Sequence, residues 1–365
     1  MIDVRHVLSR ASERPLALTR GERARLLAIE DAEGLQALFD AAYSVKTALC
    51  GREVAMRALL EVGNVCAKDC LYCGIRKSNG AVRRYRLCAD EIVRLAEAAA
   101  AQGYASLVVQ SGEIESEGQT RLVEDVLRRI APLGLGVTLS LGEQTEEVYR
   151  RWKEAGAVRY LLRIETSSER LYRSLHPAGH SWRRRVECLR ALRRCGYQVG
   201  TGVMCGLPGQ TADDLADDIG FFADMDVDMI GMGPFIPHPD TPLAGEPFDA
   251  EARLLLGLKM IAVTRLHLHD VNIAAATALQ ALAPDGRERG VLAGANVVMP
   301  NVTDAEHRRL YQLYANKPCL DESAGLCRGC MERRLAAIGE APLFSRRGDS
   351  LHFRRRTGAA EKGEP

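Results

Sequence analysis

The chain has 365 residues, 47% of them apolar and 27% charged, with a formal net charge of +1. That balance gives no electrostatic case for nucleic acid or an anionic membrane surface as a partner, and no run of about 18 apolar residues occurs to suggest a membrane span. The N-terminus is charged where a secretory leader would be apolar, so a cytoplasmic protein is expected; the eleven cysteines then point to metal or redox chemistry rather than a disulfide framework.

Residues 1–51 read as a helical cap. From residue 54 onward, short β-branched or apolar runs alternate with charged amphipathic stretches. Strands are expected over 54–63, 105–112, 136–142, 158–166, 197–206, 228–235, 271–277 and 293–300. Helices are expected over 89–102, 119–130, 145–155, 181–195, 211–225 and 249–267, where apolar residues recur at three and four spacing. Thr145 followed by Glu146 and Glu147, and Thr211 followed by Asp213 and Asp214, supply helix starts. Alternation of this kind predicts an α/β fold, a complete (β/α)8 barrel over 52–302, with a cysteine-bearing extension over 303–345. The seventh helix is the least marked, and an open doubly wound sheet shares the local pattern. Residues 346–365 read as a solvated basic tail.

A barrel of this type builds its chemistry on the loops at the C-terminal ends of its strands. There the first strand runs into Cys66, Cys70 and Cys73, and the second ends in Gln110, Ser111, Gly112 and Glu113. The third carries Thr138 and Ser140, and the fourth Arg163 and Glu165. The cysteines, in "NVCAKDCLYCG", are spaced C-x3-C-x2-C. Three thiolates bind zinc with a fourth ligand from elsewhere, or three corners of a four-iron cluster whose fourth iron stays open.

With Tyr72 before the last cysteine and Gly74 after it, the triplet resembles that of the radical S-adenosylmethionine enzymes. The resemblance implies a 4Fe-4S cluster on Cys66, Cys70 and Cys73, S-adenosylmethionine chelated by the open iron, and reductive cleavage to a 5′-deoxyadenosyl radical. It also implies that Ser111, Gly112 and Glu113 stand for the family's Gly-Gly-Glu element. Serine replaces the first glycine, which is tolerated only where no positive φ is needed. Glu165 in "RIET" and Arg185 in "RRRVEC" are the implied carboxylate and guanidinium partners of the cosubstrate, a plain ion pair in the mouth being the alternative. The glycine-rich 202–211 segment would face the adenosine, with Met229 as an apolar wall or simple core filler. Thr138, Ser140 and Tyr311 complete the cofactor-binding candidates.

Segments such as "VTLSLGE", "GPFIPHPDTPL" and "RRLYQLY" extend the resemblance, within that family, to the HydE group of iron-only hydrogenase maturases. This implies a small cysteine-bound iron complex carrying carbon monoxide and cyanide as substrate, with Arg159, Thr277 and Tyr314 as candidate contacts. Implied partners are a radical tyrosine lyase maturase, a GTPase scaffold maturase and a reductant such as ferredoxin or flavodoxin. Methylornithine synthase, which shares "CLYCGIRK", is the enzymatic alternative. Biotin synthase is disfavoured because the second and third strands carry no cysteine. A non-enzymatic iron–sulfur carrier would need no cosubstrate pocket, whereas Glu113, Glu165 and Arg185 fall in register at one mouth.

A second group, Cys319, Cys327 and Cys330, is spaced C-x7-C-x2-C. The resemblance implies an accessory cluster of 2Fe-2S type near the surface, with 4Fe-4S or structural zinc as alternatives. Its place outside the strands argues against a direct catalytic role. Cys50, Cys88, Cys188, Cys195 and Cys205 read as core or helix-face residues, and His238 as a loop-shaping one.

Overall fold

The computed structural model describes residues 3–321 and 324–358. No helix among them is long and apolar enough to cross a membrane. Three helices come first, Val4–Glu13, Arg20–Leu27 and Ala32–Cys50. The second opens with a capping box in which Thr19 and Glu22 satisfy each other's backbone N–H groups.

Strands β1 (Glu53–Met56) and β2 (Ala58–Gly63) are one run broken at Arg57, followed by β3 (Ser106–Ser111), β4 (Gly136–Ser140), β5 (Ala157–Leu161) and β6 (Gln198–Thr201). Then come β7 (Met204–Cys205), β8 (Met229–Ile230), β9 (Gly233–Pro234), β10 (Asn272–Ile273), β11 (Val297–Val298) and β12 (Ala341–Leu343). Seven form one parallel sheet in the order β10-β8-β6-β5-β4-β3-β2. β11 pairs in parallel with β1, and single bridges join Ala274 to Val297 and Leu59 to Asn301. β12 pairs with the other edge of β1.

The expected helices form as Ala89–Ala101, Glu117–Ile130, Glu146–Glu154, Trp182–Arg194, Ala212–Asp224 and Ala250–Leu268. Thr145 caps Val148 N, and Thr211 forms a full box with Asp214. Glu169–Leu175, Thr277–Leu282, Gly286–Leu292 and Leu351–Thr357 are further helices, too short to show a period in sequence.

Side chains alternate across each strand. Val54, Met56, Ala58, Leu60, Val62, Leu107, Val109, Val137, Leu139 and Tyr160 enter the hydrophobic core shared with the surrounding helices. Behind β5, Tyr160 stacks on Trp152 and meets Tyr149 and Tyr197 edge-on. The alternate set faces inward: Arg57 and Glu61, Gln110, Thr138 and Ser140, Arg159 and Arg163, Gly200 and Met229. The interior is therefore polar, and where each group lies along its strand decides its role.

The base of this interior corrects one expectation. Residues 346–358 are not a solvated tail but fold under the sheet, while 359–365, the rest of that expected tail, lie outside the described residues. Arg159 pairs with Asp349 and donates to Arg347 O (2.8 Å), and Gln198 Nε2 donates to Asp349 Oδ1 (2.6 Å). Gly348 O accepts from Arg57 (3.0 Å) and Asn272 (2.9 Å). Buried arginines need acceptors, and the C-terminal segment supplies them.

The helix Leu351–Thr357 is then held by charge: His352 bridges Asp270 (3.2 Å) and Asp226 (2.6 Å), and Arg356 reaches Asp228 (3.2 Å). Its hydrogen bond to Asp270, opposed by partial burial and reinforced by Asp226, lifts the His352 imidazolium to about 9. A histidine whose value rises on folding stabilises the fold fully below its ordinary pKa of about 6.5 and loses that contribution as pH rises through the raised value. Tryptic cleavage at Arg354–Arg356 is therefore expected to increase between pH 8 and pH 10 in the native chain, and to be rapid already at pH 8 in His352→Gln.

Candidate active site

The loop after β2 is shaped by two polar groups, the buried Asn64 and the half-buried Arg84. Asn64 donates to Arg83 O (2.9 Å) and Leu310 O (2.8 Å), and its Oδ1 accepts from Tyr85 N (2.8 Å). Arg84 donates to four carbonyls, those of Asn64, Ile75, Arg76 and Asn79, at 2.6–3.0 Å. The loop carrying the three cysteines is thus wrapped around one guanidinium. Gly74 is required here, since a Cβ would lie 2.3 Å from Gln312 O and 2.5 Å from His238. His238 accordingly shapes the loop from outside.

Cys66 Sγ accepts from Lys68 N (3.4 Å) and Glu113 N (3.3 Å). Burial lifts the Cys66 thiol, takes Cys70 to about 12 and raises Cys73 well above its ordinary value, so a free thiolate is disfavoured at each position. Three recessed soft donors of this kind fit a metal cluster, whose positive charge offsets the desolvation that free thiolates would suffer. Among the described residues no three such donors converge on one ion; ligands of a cluster each take a different iron and need no common point.

Gly112 presses on the same loop: a Cβ there would lie 2.5 Å from Val65 O and 2.8 Å from Cys66 Cβ. Ser111, in contrast, is not among the residues with positive φ, so serine meets no backbone penalty there. Glu113 then enters a buried lattice of four charges. Lys68 Nζ lies 3.1 Å from Glu113 and 3.2 Å from Glu143, and Arg185 lies 3.3 Å from Glu113 and 3.0 Å from Glu143. Burial, reinforced by Glu143, raises the Glu113 carboxyl against the pull of Arg185 and Lys68.

Glu165 stands apart, with φ +69, a backbone state that non-glycine residues adopt only at some cost. Its carboxylate pairs with Arg163 (3.0 Å), which also donates to Gly231 O (2.8 Å) and Val203 O (3.0 Å). Arg185 and Glu165 are joined only through Arg163, whose carbonyl accepts from Arg185 at 3.3 Å. Tyr311 is buried and accepts from Gln110 (3.2 Å), while Tyr314 lies near Arg287, Glu61 and Arg163. Thr277 Oγ1 accepts from Arg287 (3.2 Å). Ser140 pairs in register with Gln110, and the buried Thr138 hydroxyl has no hydrogen-bond partner among the described residues.

Comparison with known proteins agrees with this geometry. The Radical SAM superfamily model matches residues 60–222. The [FeFe] hydrogenase maturase subunit HydE of Thermotoga maritima is 44% identical over 93% of this chain and 95% of its own. The chain belongs to the HydE family of radical SAM enzymes. More distant relatives of this HydE-family chain include 3-methylornithine synthase of Methanosarcina barkeri, 30% identical over 77% of the chain and 79% of that protein. In structure, methylornithine synthase superposes with a TM-score of 0.80 over 92% of this chain and 97% of its own, at 26% identity. HydG from Carboxydothermus hydrogenoformans superposes at 0.79 over 93% of this chain and 79% of its own, which at 19% identity shows a shared fold.

Arg159 lies at the base of the interior, paired with Asp349, and Arg163, four residues further along on the same inward side, pairs with Glu165. Met229 contacts Arg57 through its sulfur (3.0 Å) and packs on Gly200. Sequence reasoning did not single out Lys68, Arg84 or Glu143 as site residues. Lys68 stood inside the cysteine motif and Glu143 at the end of "VTLSLGE", where a charged residue after a buried strand was the available signal.

In the second cysteine group, Cys327 is buried and Cys330 lies one turn on in helix Ala324–Ala337. Cys319, with φ +61, accepts from Gln280 at its sulfur (3.8 Å) and from Arg308 at its carbonyl (2.7 Å). It lies at the C-terminal side of the chain, away from the Cys66 loop in sequence.

Removing one partner of a buried charge lattice leaves the others uncompensated. Arg185→Met, which strands Glu113 and Glu143 with Lys68 alone, is expected to lower stability by about 3 kcal/mol, measured by urea unfolding under anaerobic conditions.

Proposed function

We propose that this chain is a hydrogenase maturase that cleaves S-adenosylmethionine at a 4Fe-4S cluster held by Cys66, Cys70 and Cys73. The observation that carries the reading is the recessed cysteine loop pressed against Gly112 and Glu113, in a chain 44% identical to HydE over 93% of its length. When bound, such a cluster supplies the electron that breaks the sulfonium bond and yields a 5′-deoxyadenosyl radical. The chain's own residues bind and orient. The Ser111–Glu113 edge and Arg185 receive the ammonium and carboxylate of the cosubstrate, charge-assisted contacts that favour a fixed orientation. Glu165, Thr138, Ser140 and Tyr311 line the same interior, and the unpartnered Thr138 hydroxyl is available to a ligand.

The substrate in this reading is a cysteine-bound iron complex bearing carbon monoxide and cyanide, with Arg159, Thr277 and Tyr314 as its contacts. Partners are a radical tyrosine lyase maturase, a GTPase scaffold maturase and a ferredoxin- or flavodoxin-type reductant. Cys319, Cys327 and Cys330 hold an accessory 2Fe-2S cluster that radical generation does not require. The architecture is read as a complete (β/α)8 barrel over 52–302, supported by the bridges of Val297 to Ala274 and Asn301 to Leu59. A helical cap over 1–51 and an extension over 303–345 flank it.

Anaerobic reconstitution followed by dithionite and S-adenosylmethionine tests the reading. The native chain should release 5′-deoxyadenosine, Cys66→Ala should fall to background, and the Cys327→Ala/Cys330→Ala pair should retain release. No product from the native chain, or its collapse in the folded double variant, would overturn the corresponding assignment. Conversion of lysine to methylornithine would favour the mutase instead.

A further inference from the structure

The segment 171–180 grips the cysteine loop at three points. Leu71 N donates to Leu175 O (2.9 Å), Asp69 N donates to His180 Nε2 (3.4 Å), and Tyr72 Oη lies 3.1 Å from His176 Nε2. The third contact differs from the others because it fixes a side chain. His176 Nδ1 is 2.7 Å from Tyr172 O, and a carbonyl can only accept, so Nδ1 carries the hydrogen. The imidazole is 4% exposed, and its ring stacks on Tyr172 with centroids 3.9 Å apart and planes 20° apart. Burial of this kind keeps the ring neutral, which leaves Nε2 a lone pair, and Tyr72 Oη–H is the donor that meets it.

Tyr72 lies between Cys70 and Cys73 and meets His176 edge-on at 5.4 Å. We infer that His176 is a positioning residue for the cofactor site: through a neutral, single-tautomer imidazole it locks the Tyr72 ring, and so sets the wall that the cosubstrate meets beside the Cys70–Cys73 segment. This inference rests on the assignment of Cys66, Cys70 and Cys73 as cluster ligands. The lock is directional: Tyr172 O orients His176 and His176 orients Tyr72, whose ring also packs against the apolar cluster of Leu175, Met204, Leu207 and Phe235. Loss of the hydrogen bond would leave the loop attached through its two backbone contacts, so the cluster should still assemble while its surroundings change.

The test uses the full-length chain, reconstituted anaerobically, with iron content, the electron paramagnetic resonance spectrum of the reduced cluster before and after S-adenosylmethionine, and the Kd for S-adenosylmethionine. His176→Phe preserves the ring stack but removes the acceptor. It should bind native amounts of iron, show an altered spectral response to S-adenosylmethionine, and bind it about tenfold more weakly, as one lost hydrogen bond predicts. His176→Gln, whose carbonyl oxygen can accept from Tyr72, should restore both. Tyr72→Phe should reproduce the His176→Phe response, and the double variant should add nothing to it; if His176→Phe fails to fold, Tyr72→Phe carries the same measurement. A native spectrum and native Kd in the folded variants would overturn the inference. A native chain that holds no cluster would overturn the cysteine assignment instead, and iron content separates the two results.

Discussion

The lattice of Lys68, Glu113, Glu143 and Arg185 is the interaction on which the mouth depends. Each of its members comes from a different part of the chain: the cysteine loop, the turn after β3, the turn after β4, and the helix Trp182–Arg194. Two positive and two negative groups are withdrawn from water together, so each pays for its desolvation only while the others hold their places. Cross-linking by charge is less adaptable than apolar packing, because a shift of one ångström forfeits much of the attraction. Rigidity of this kind suits a site that must present a zwitterionic head group at a fixed orientation. The backbone of Glu113 is drawn into the same arrangement, since its N–H reaches Cys66 Sγ.

Much of the fold was legible in the chain because it follows from two periods. Strands buried on both faces read as apolar runs, and two of the six long helices announce their starts in the sequence, at Thr145 and Thr211. The C-terminal segment was misread for an equally physical reason. "SRRGDSLHFRRR" has the composition of a solvated end, and nothing local reveals that its acceptors meet arginines 190 and 291 residues away in the chain. Contacts to Arg57 and Arg159 are long-range, and tertiary burial overrides composition.

The site was legible where motif and backbone coincide and obscure where height along a strand matters. Glu113 N–H reaches Cys66 Sγ and its carboxylate reaches Arg185, contacts that join the cysteine motif, the turn after β3 and a distant helix. Arg159 and Arg163 share an inward parity, and alternation gives that side but not depth; four residues of rise along β5 and beyond separate the base from the top. Lys68, Glu143 and Arg84 were hidden because charged residues in loops are ordinarily solvated, and only the convergence of three loops buries these.

The folded-back C-terminal segment gives the interior a floor. Asp349 and the carbonyls of Arg347 and Gly348 meet the buried arginines at the end of the strands opposite the cysteine loop. The acceptors for Arg57 and Arg159 come from the far end of the chain, so during synthesis these two strand arginines have no native partners until the last turn of the fold has been made, and docking of that segment is coupled to completion of the sheet interior.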